Sequence, residues 1–93
     1  GEEGLAFAAD CYSAGAVFFH TLAGRPPFMG STVEKLQQRI LKKPTPRISA
    51  YVPGLPAVAD QILQRCLEKL PAARYQQPKE FLYDLEEVLR REL

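Results

Sequence analysis

The feature that most constrains the fold is the stretch Asp10–Gly24, which reads DCYSAGAVFFHTLAG. After Asp10 its side chains are almost all apolar, and the polar ones are small or carry a ring. A helix that is apolar on nearly all sides must be surrounded by protein or lipid, and 15 residues are short for a bilayer. Asp10 suits an N-cap and Gly24 a C-cap. We predict a buried central helix; a buried strand is the competing interpretation.

Three further helices are predicted along the chain. The first follows a cap at Ser31 or Thr32 and has one narrow apolar stripe, so it lies at the surface: Val33, Leu36, Ile40. The next spans residues 57–70, with its polar residues facing water, and the last begins at Pro78. No segment has the alternating pattern of a strand, so we predict an all-α fold.

The segments outside these helices are predicted to be irregular. Residues 1–9 are interpreted as a weakly ordered lead-in, because Gly1 and Gly4 weaken a helix. Residues 42–56 contain four prolines and a glycine, a composition typical of an extended loop.

Length and composition exclude several classes of protein. A chain of 93 residues is enough for one domain, and its net charge of +1 argues against nucleic-acid binding. No signal peptide or membrane-spanning segment is recognised, so we expect a cytoplasmic protein without a membrane partner. The two cysteines, Cys11 and Cys66, lie in apolar helical patterns and are expected to be buried, reduced thiols.

No catalytic, cofactor-binding or metal-binding residue is predicted. The sequence lacks the glycine-rich motifs that hold phosphate and the nucleophile and zinc motifs of hydrolases. His20, alone in an apolar helix, is interpreted as a packed residue. Asp10 and Arg74 stand out as charges beside apolar helices, where an unpaired charge is costly. The alternative is an ordinary N-cap for Asp10 and an exposed position for Arg74.

Three motifs resemble one family. Residues 10–15, DCYSAG, resemble the D-x-[WY]-S-x-G at the start of helix F in protein kinases, and residues 24–28, GRPPF, are similar to the G-x-x-P-F that follows it. Residues 65–75, RCLEKLPAARY, resemble R-C-L-x-K-D-P-x-x-R-[YP]. The order and spacing match over about residues 10–89, most closely those of bacterial-type serine/threonine kinases. The resemblance implies that residues 1–93 are a partial kinase domain whose four helices are helices F, G, H and I of the C-terminal lobe.

The resemblance implies structural roles for single residues. Asp10 would bond to backbone amides of the catalytic loop, and Arg74 would pair with the glutamate of the A-P-E motif. Helix G would present a surface where substrates or regulators dock, formed here by Phe28, Met29, Val33, Leu36 and Gln37. The elements that bind ATP and Mg²⁺ precede helix F in the family, so we expect those ligands only for an intact parent kinase.

Two departures from the family pattern leave the role of Arg74 open. Leu70 replaces an aspartate of the family motif, and the A-P-E glutamate is absent unless Glu2 or Glu3 substitutes for it.

Two functions remain as alternatives. The chain is either the C-terminal scaffold of a serine/threonine kinase or a self-standing helical interaction module derived from a kinase lobe, without phosphotransfer. Its partners would be the remainder of a kinase domain or a protein bound at helix G, and self-association through bare apolar surface is a further expectation.

Overall fold

The computed structural model describes residues 2–92, with side chains from 2 to 90, and this part of the chain is all helical. The predicted all-α class is therefore confirmed. The four helices are α1 (Glu2–Ala23), α2 (Val33–Lys42), α3 (Ala57–Cys66) and α4 (Pro78–Glu92). Single 3-10 turns at Ile48–Ala50 and Pro71–Ala73 interrupt the loops before and after α3.

Helix α1 begins far earlier than the sequence indicated. Residues 2–9 form its first turns, so a weakly ordered lead-in is wrong for them, and Asp10 lies inside the helix rather than at its N-cap. Glu2 and Glu3 stand at the positive end of the helix dipole, and the leucine and alanines that follow favour a helix strongly enough to carry it through Gly4. The predicted stop is confirmed: Gly24 has φ 76° and its N–H donates to the carbonyl of His20.

The 22 residues of α1 also change the argument about membranes. By length and apolar composition α1 could cross a bilayer, which the shorter predicted helix could not. The core helix of a soluble protein meets the same two criteria. Length and composition therefore do not distinguish a membrane-spanning helix from a core helix, and the packing of α1 has to be considered instead.

Only one face of α1 is buried within the described chain. Its buried positions recur every three or four residues: Ala8, Cys11, Gly15, Phe19. On the other side Val17 is 65% exposed and Phe18 58% exposed. The expectation that α1 is enclosed on nearly all sides is therefore wrong for this chain, because the other described helices cover a single stripe of it.

Helix α3 packs against both α1 and α4 and connects two clusters of buried side chains. The buried members of the cluster toward α4 are Cys11, Ile62, Cys66 and Tyr75. Those of the cluster toward the proline-rich loop are Phe19, Ile48, Leu63 and Leu67. The helix ends at Cys66 instead of the predicted Leu70, because the chain turns before Pro71; Leu70 itself is 72% exposed.

Polar side chains of α3 hold the proline-rich loop, although the sequence placed them in water. Asp60 accepts a hydrogen bond from the backbone N–H of Ser49 at 3.1 Å. Gln64 donates to the carbonyls of Pro46 at 3.1 Å and Thr45 at 3.4 Å. Loop carbonyls outside helices and strands need such partners when they approach the core. Asp60 and Gln64 therefore fix the loop whose Ile48 side chain packs in the core.

Candidate functional site

The predicted docking surface lies where the loop after α1 meets α2. Thr32 caps α2, its Oγ1 accepting from the backbone N–H of Lys35 at 3.1 Å. Gly30 lies so close to the helix that a Cβ added there would come within 2.6 Å of the backbone nitrogen of Leu36. The carbonyl of Met29 accepts a bond from the Arg39 guanidinium. These contacts fix the loop against the first turns of α2.

The residues proposed for docking are exposed to different degrees. Val33 is 67% exposed, Met29 47% exposed, and Gln37 is also exposed. Phe28 and Leu36 are half-buried, and the Lys69 ammonium lies 4.7 Å from the centre of the Phe28 ring. The structure thus presents Met29, Val33 and Gln37 to solvent and uses Phe28 and Leu36 partly for packing. Docking at this surface stays a prediction.

Asp10 lies on the exposed side of α1 and lines an open groove. Neither of the two salt bridges within the part of the chain that the structure describes includes it. Asp10 is therefore neither an N-cap nor a buried charge in the described chain, because it lies within α1 on the side that the other described helices leave uncovered. An exposed carboxylate beside apolar surface is free to accept hydrogen bonds from another segment.

Arg74 is half-buried and is held by backbone carbonyls. Its guanidinium donates to the carbonyl of Glu68 at 2.6 Å, that of Lys69 at 3.3 Å and that of Ala8 at 3.4 Å. It also lies 4.7 Å from the centre of the Tyr12 ring. These bonds tie the loop after α3 to α1.

Glu2 and Glu3 do not pair with Arg74. Neither appears in the two salt bridges that the structure contains over its described residues, and both are exposed in the first turn of α1. The possible substitution for the A-P-E glutamate is therefore wrong. Because residues 2–9 continue the helix instead of folding back, Ala8 and not a glutamate faces Arg74.

A small basic cavity surrounds Arg74. It measures about 340 Å³, and its lining includes Tyr12, Ile40, Lys69 and Arg74. Burial lowers the pKa of the Lys69 ammonium, with Glu68 opposing the shift, and burial raises the pKa of Tyr12 against the opposing charge of Arg74. Two cations with an aromatic ring favour an anionic group at this position.

The larger feature is an apolar groove of about 360 Å³ between α1, α3 and α4. Phe18 and Leu22 stand on its α1 side, Cys11 and Cys66 line it, and Asp10 also lies along it. The sequence did not indicate this groove, since apolar periodicity shows which residues prefer burial but not which neighbours are present. The one sequence signal for an open apolar surface was that Asp10–Gly24 has more apolar residues than a single buried stripe requires.

Sequence reasoning also missed a polar network joining α3 to α4. Arg65 forms a salt bridge with Glu80 at 2.9 Å and lies 4.1 Å from the centre of the Tyr75 ring. The Tyr75 hydroxyl donates to Asp84 at 2.6 Å. The bond to Arg65 lowers the pKa of Glu80, whereas burial and the bond to Asp84 raise the pKa of Tyr75.

The described side chains contain no group of three or more acidic, histidine or cysteine residues that could hold a metal ion.

Comparison with known proteins finds serine/threonine-protein kinases among the relatives of this chain. No protein-family model matches the chain. It is 42% identical over 78 residues to the probable serine/threonine-protein kinase PknB of Bifidobacterium longum, covering 83% of this chain and 11% of the relative. It is 40% identical over 81 residues to the serine/threonine-protein kinase PknB of Mycobacterium tuberculosis, covering 86% of this chain and 13% of that kinase.

A further relative is named as a histidine kinase. The peroxide stress-activated histidine kinase mak3 of Schizosaccharomyces pombe is 35% identical over 85 residues, which are 91% of this chain and 4% of that protein. In every case the chain spans a small fraction of the relative's length.

Proposed function

We propose that this chain, which is homologous to the C-terminal lobe of the bacterial-type serine/threonine protein kinases, acts as the C-terminal scaffold of such a kinase. In this role it supports the catalytic loop and presents a docking surface, and it performs no phosphotransfer alone. One observation carries the proposal: the flank of α1 that bears Asp10, Phe18 and Leu22 is open along an apolar groove.

The groove has the properties of a seat for another protein segment. Phe18 is 58% exposed and Leu22 47% exposed, side by side on one flank. Contiguous exposed apolar surface of this kind marks interaction sites. Asp10 adds a carboxylate on the same flank, which can accept short hydrogen bonds from backbone N–H groups. The resemblance assigns that bonding to the catalytic loop, which would be held in position by α1.

The basic cavity supports a second contact with the rest of a kinase. Arg74 and Lys69 both line it, and neither has a carboxylate partner within the described residues. A glutamate entering the cavity would gain charge-assisted bonds to the Arg74 guanidinium. The resemblance names that glutamate as the one in the A-P-E motif.

ATP and Mg²⁺ belong, on this proposal, to the intact parent kinase. The residues here do not fit them: the sequence has no glycine-rich phosphate loop, and no acidic cluster suited to a metal is found within residues 2–90. No chemical step is therefore assigned to this chain. Its contribution is positional, and residues far from the reacting atoms can still change the rate strongly through geometry.

The proposal includes a cytoplasmic location and a protein partner at α2. Helix α1 packs Ala8, Cys11, Gly15 and Phe19 against protein, which supports a protein-covered helix over a lipid-exposed one. A net charge of +1 favours neither a membrane surface nor nucleic acid. The exposed Met29, Val33 and Gln37 would then serve recognition of a substrate or regulator.

A chimeric kinase tests the scaffold role. The matching segment of the Bifidobacterium longum relative is replaced by this chain, and transfer of labelled phosphate to a protein substrate is measured. The natural kinase and the same kinase lacking the segment are the controls. We expect the chimera to transfer phosphate well above the truncated kinase, and the isolated chain to give no signal above buffer.

Two results would contradict the proposal. A chimera that folds, as judged by a cooperative melting transition, but is no more active than the truncated kinase would favour a self-standing interaction module. Phosphotransfer by the isolated chain that is abolished by a point mutation within it would overturn the assignment of a purely structural role.

A further inference from the structure

The two cysteines of the chain come together in its core. Cys11 on α1 and Cys66 at the end of α3 are 55 positions apart in sequence, yet their Sγ atoms are 3.0 Å apart. Both are free thiols, 5% and 2% exposed. A disulfide bond is about 2.05 Å long, so about 1 Å of further approach separates this pair from a covalent bond.

The helices around the pair are already in close contact. Gly15, one turn beyond Cys11, is so near α3 that a Cβ built there would lie 2.8 Å from the Cβ of Cys66. The absence of a side chain at Gly15 lets α1 and α3 approach closely beside the two thiols. The two sulfurs are therefore already in contact where the helices meet.

A small oxidant has a route to the pair. Both cysteines line the apolar groove between α1, α3 and α4, which is open to solvent. The groove measures about 360 Å³, far more than a molecule of hydrogen peroxide needs. A bulky disulfide reagent has no comparable access, because almost all of each cysteine is covered.

We propose that Cys11 and Cys66 are a redox modification site, at which hydrogen peroxide forms a reversible disulfide that joins α1 to α3. One thiolate attacks peroxide, the O–O bond breaks, and a sulfenic acid and hydroxide form. The second thiol then attacks the sulfenic sulfur and releases water. In sum, two thiols and one peroxide give one disulfide and two waters; sulfur is oxidised and peroxide is reduced. In the isolated chain, where the groove is open, this site does not depend on the proposed scaffold role.

The environment makes the reaction slow and the product stable. Burial raises the pKa of the Cys66 thiol, the neighbouring Cys11 adds to the shift, and Arg65 opposes it. Fewer reactive thiolates are therefore present at neutral pH. Once formed, the bond closes a loop over more than half of the chain and restricts the unfolded state.

Intact-mass measurement tests the proposal directly. The chain is treated with hydrogen peroxide at about pH 8.5, quenched with catalase, unfolded in guanidinium and exposed to N-ethylmaleimide. We expect a monomer that has lost two hydrogen atoms and takes up no maleimide, and that takes up two after reduction with dithiothreitol. Since the chain has two cysteines, such a monomer contains the Cys11–Cys66 bond.

A melting experiment shows whether the native packing accepts the bond. The oxidised monomer should melt roughly 10 °C or more above the reduced one, a gain that dithiothreitol removes. Cys11→Ala and Cys66→Ala are the matched controls and should show no peroxide-dependent rise. The wild-type masses remain decisive even where a variant fails to fold.

Three results would overturn the inference. The oxidised sample could still take up two maleimides, could gain oxygen atoms as sulfinic acid, or could form disulfides only between chains. A monomeric bond that lowers the melting temperature would equally show that the packing of α1 on α3 rejects it. None of these results depends on kinase activity, so failure of this inference and failure of the scaffold proposal are distinguishable.

Discussion

Phe18 and Phe19 are neighbours on α1 with opposite environments. Phe19 is 0% exposed and packs in the cluster with Ile48, Leu63 and Leu67, whereas Phe18 is 58% exposed on the groove side. Phe19→Ala should lower the free energy of unfolding by about 3–5 kcal/mol, and Phe18→Ala by less than about 1 kcal/mol. Urea midpoints of the two variants measure the difference. Equal midpoints would show that α1 does not pack through the Phe19 face.

The Arg65–Glu80 pair predicts a pH-dependent stability. The bond to Arg65 holds the pKa of Glu80 below its ordinary value in the folded protein. The stabilisation that this ion pair gives the folded state is therefore present above the pKa of Glu80 in the unfolded chain, about 4.3. It is lost as the pH falls through the lower pKa of Glu80 in the folded protein. Glu80→Gln should be less stable than the parent at pH 7, and the difference should shrink toward zero in acid.

Denaturation at a series of pH values checks this prediction, with Glu86→Gln on the exposed side of α4 as the control. The control should track the parent throughout. A Glu80→Gln deficit that grows toward low pH would contradict the assigned direction of the pKa shift.

Single-residue predictions from sequence succeeded where the cause was local. Gly24 ends α1 and Thr32 caps α2, because each needs only its own backbone and a neighbour within one turn. Asp10, Arg74 and Gln64 were placed wrongly or incompletely because their surroundings come from distant segments. Arg74 bonds to Ala8, 66 positions away in sequence, and no periodicity encodes that contact.

At the scale of the helices, two glycines of α1 provide a matched test of how it packs. A Cβ at Gly15 would meet the Cβ of Cys66 at 2.8 Å, inside the α1–α3 contact. A Cβ at Gly4 would meet the end of the flexible Gln76 side chain at 2.9 Å. Gly15→Ala should therefore destabilise by about 1–3 kcal/mol, while Gly4→Ala should be neutral or stabilise by up to about 1 kcal/mol.

Thermal or urea unfolding of both variants measures these values. If Gly15→Ala is as stable as Gly4→Ala, α1 and α3 do not approach as closely as described. The test is sharp because helix propensity alone would favour alanine at both positions.

The sequence predicted the existence of the four helices more accurately than their first and last residues. Amphipathic periodicity identified α2 and α3, and Pro78 marked the start of α4. Helix α3 buries its apolar stripe, whereas the stripe of α2 is only partly covered. The start of α1 was missed because Gly1 and Gly4 weaken a helix, whereas contacts at Phe7 and Ala8 stabilise those turns. The end of α3 was missed because Leu67 continues the apolar pattern after the helix has stopped.

For the whole molecule, the open flank of α1 predicts self-association of the isolated chain. The exposed Phe18 and Leu22 gain by contact with another apolar surface. Sedimentation should show a concentration-dependent rise in mass, which Phe18→Glu reduces. Met29→Glu, on the separate surface beside α2, is the control and should leave it unchanged. A parent chain that stays strictly monomeric at high concentration would contradict the claim that the open flank of α1 drives self-association.

At this scale the sequence could identify the lobe but not its open surface. The motifs in residues 10–15, 24–28 and 65–75 are local and occur in the family's order, and the two kinase relatives align with 83% and 86% of this chain. The groove is formed jointly by α1, α3 and α4, so only their relative placement shows it. The same is true of the cavity beside Arg74.

The central claim is that α1 positions the catalytic loop of a kinase through Asp10. The most direct test is the turnover number of the chimeric kinase with Asp10→Asn, beside Glu86→Gln as the control. We predict that Asp10→Asn lowers kcat by about 100-fold with little change in KM for ATP, because the loop loses its anchor while nucleotide binding is untouched. An Asp10→Asn chimera with the same kcat as the control would contradict the account.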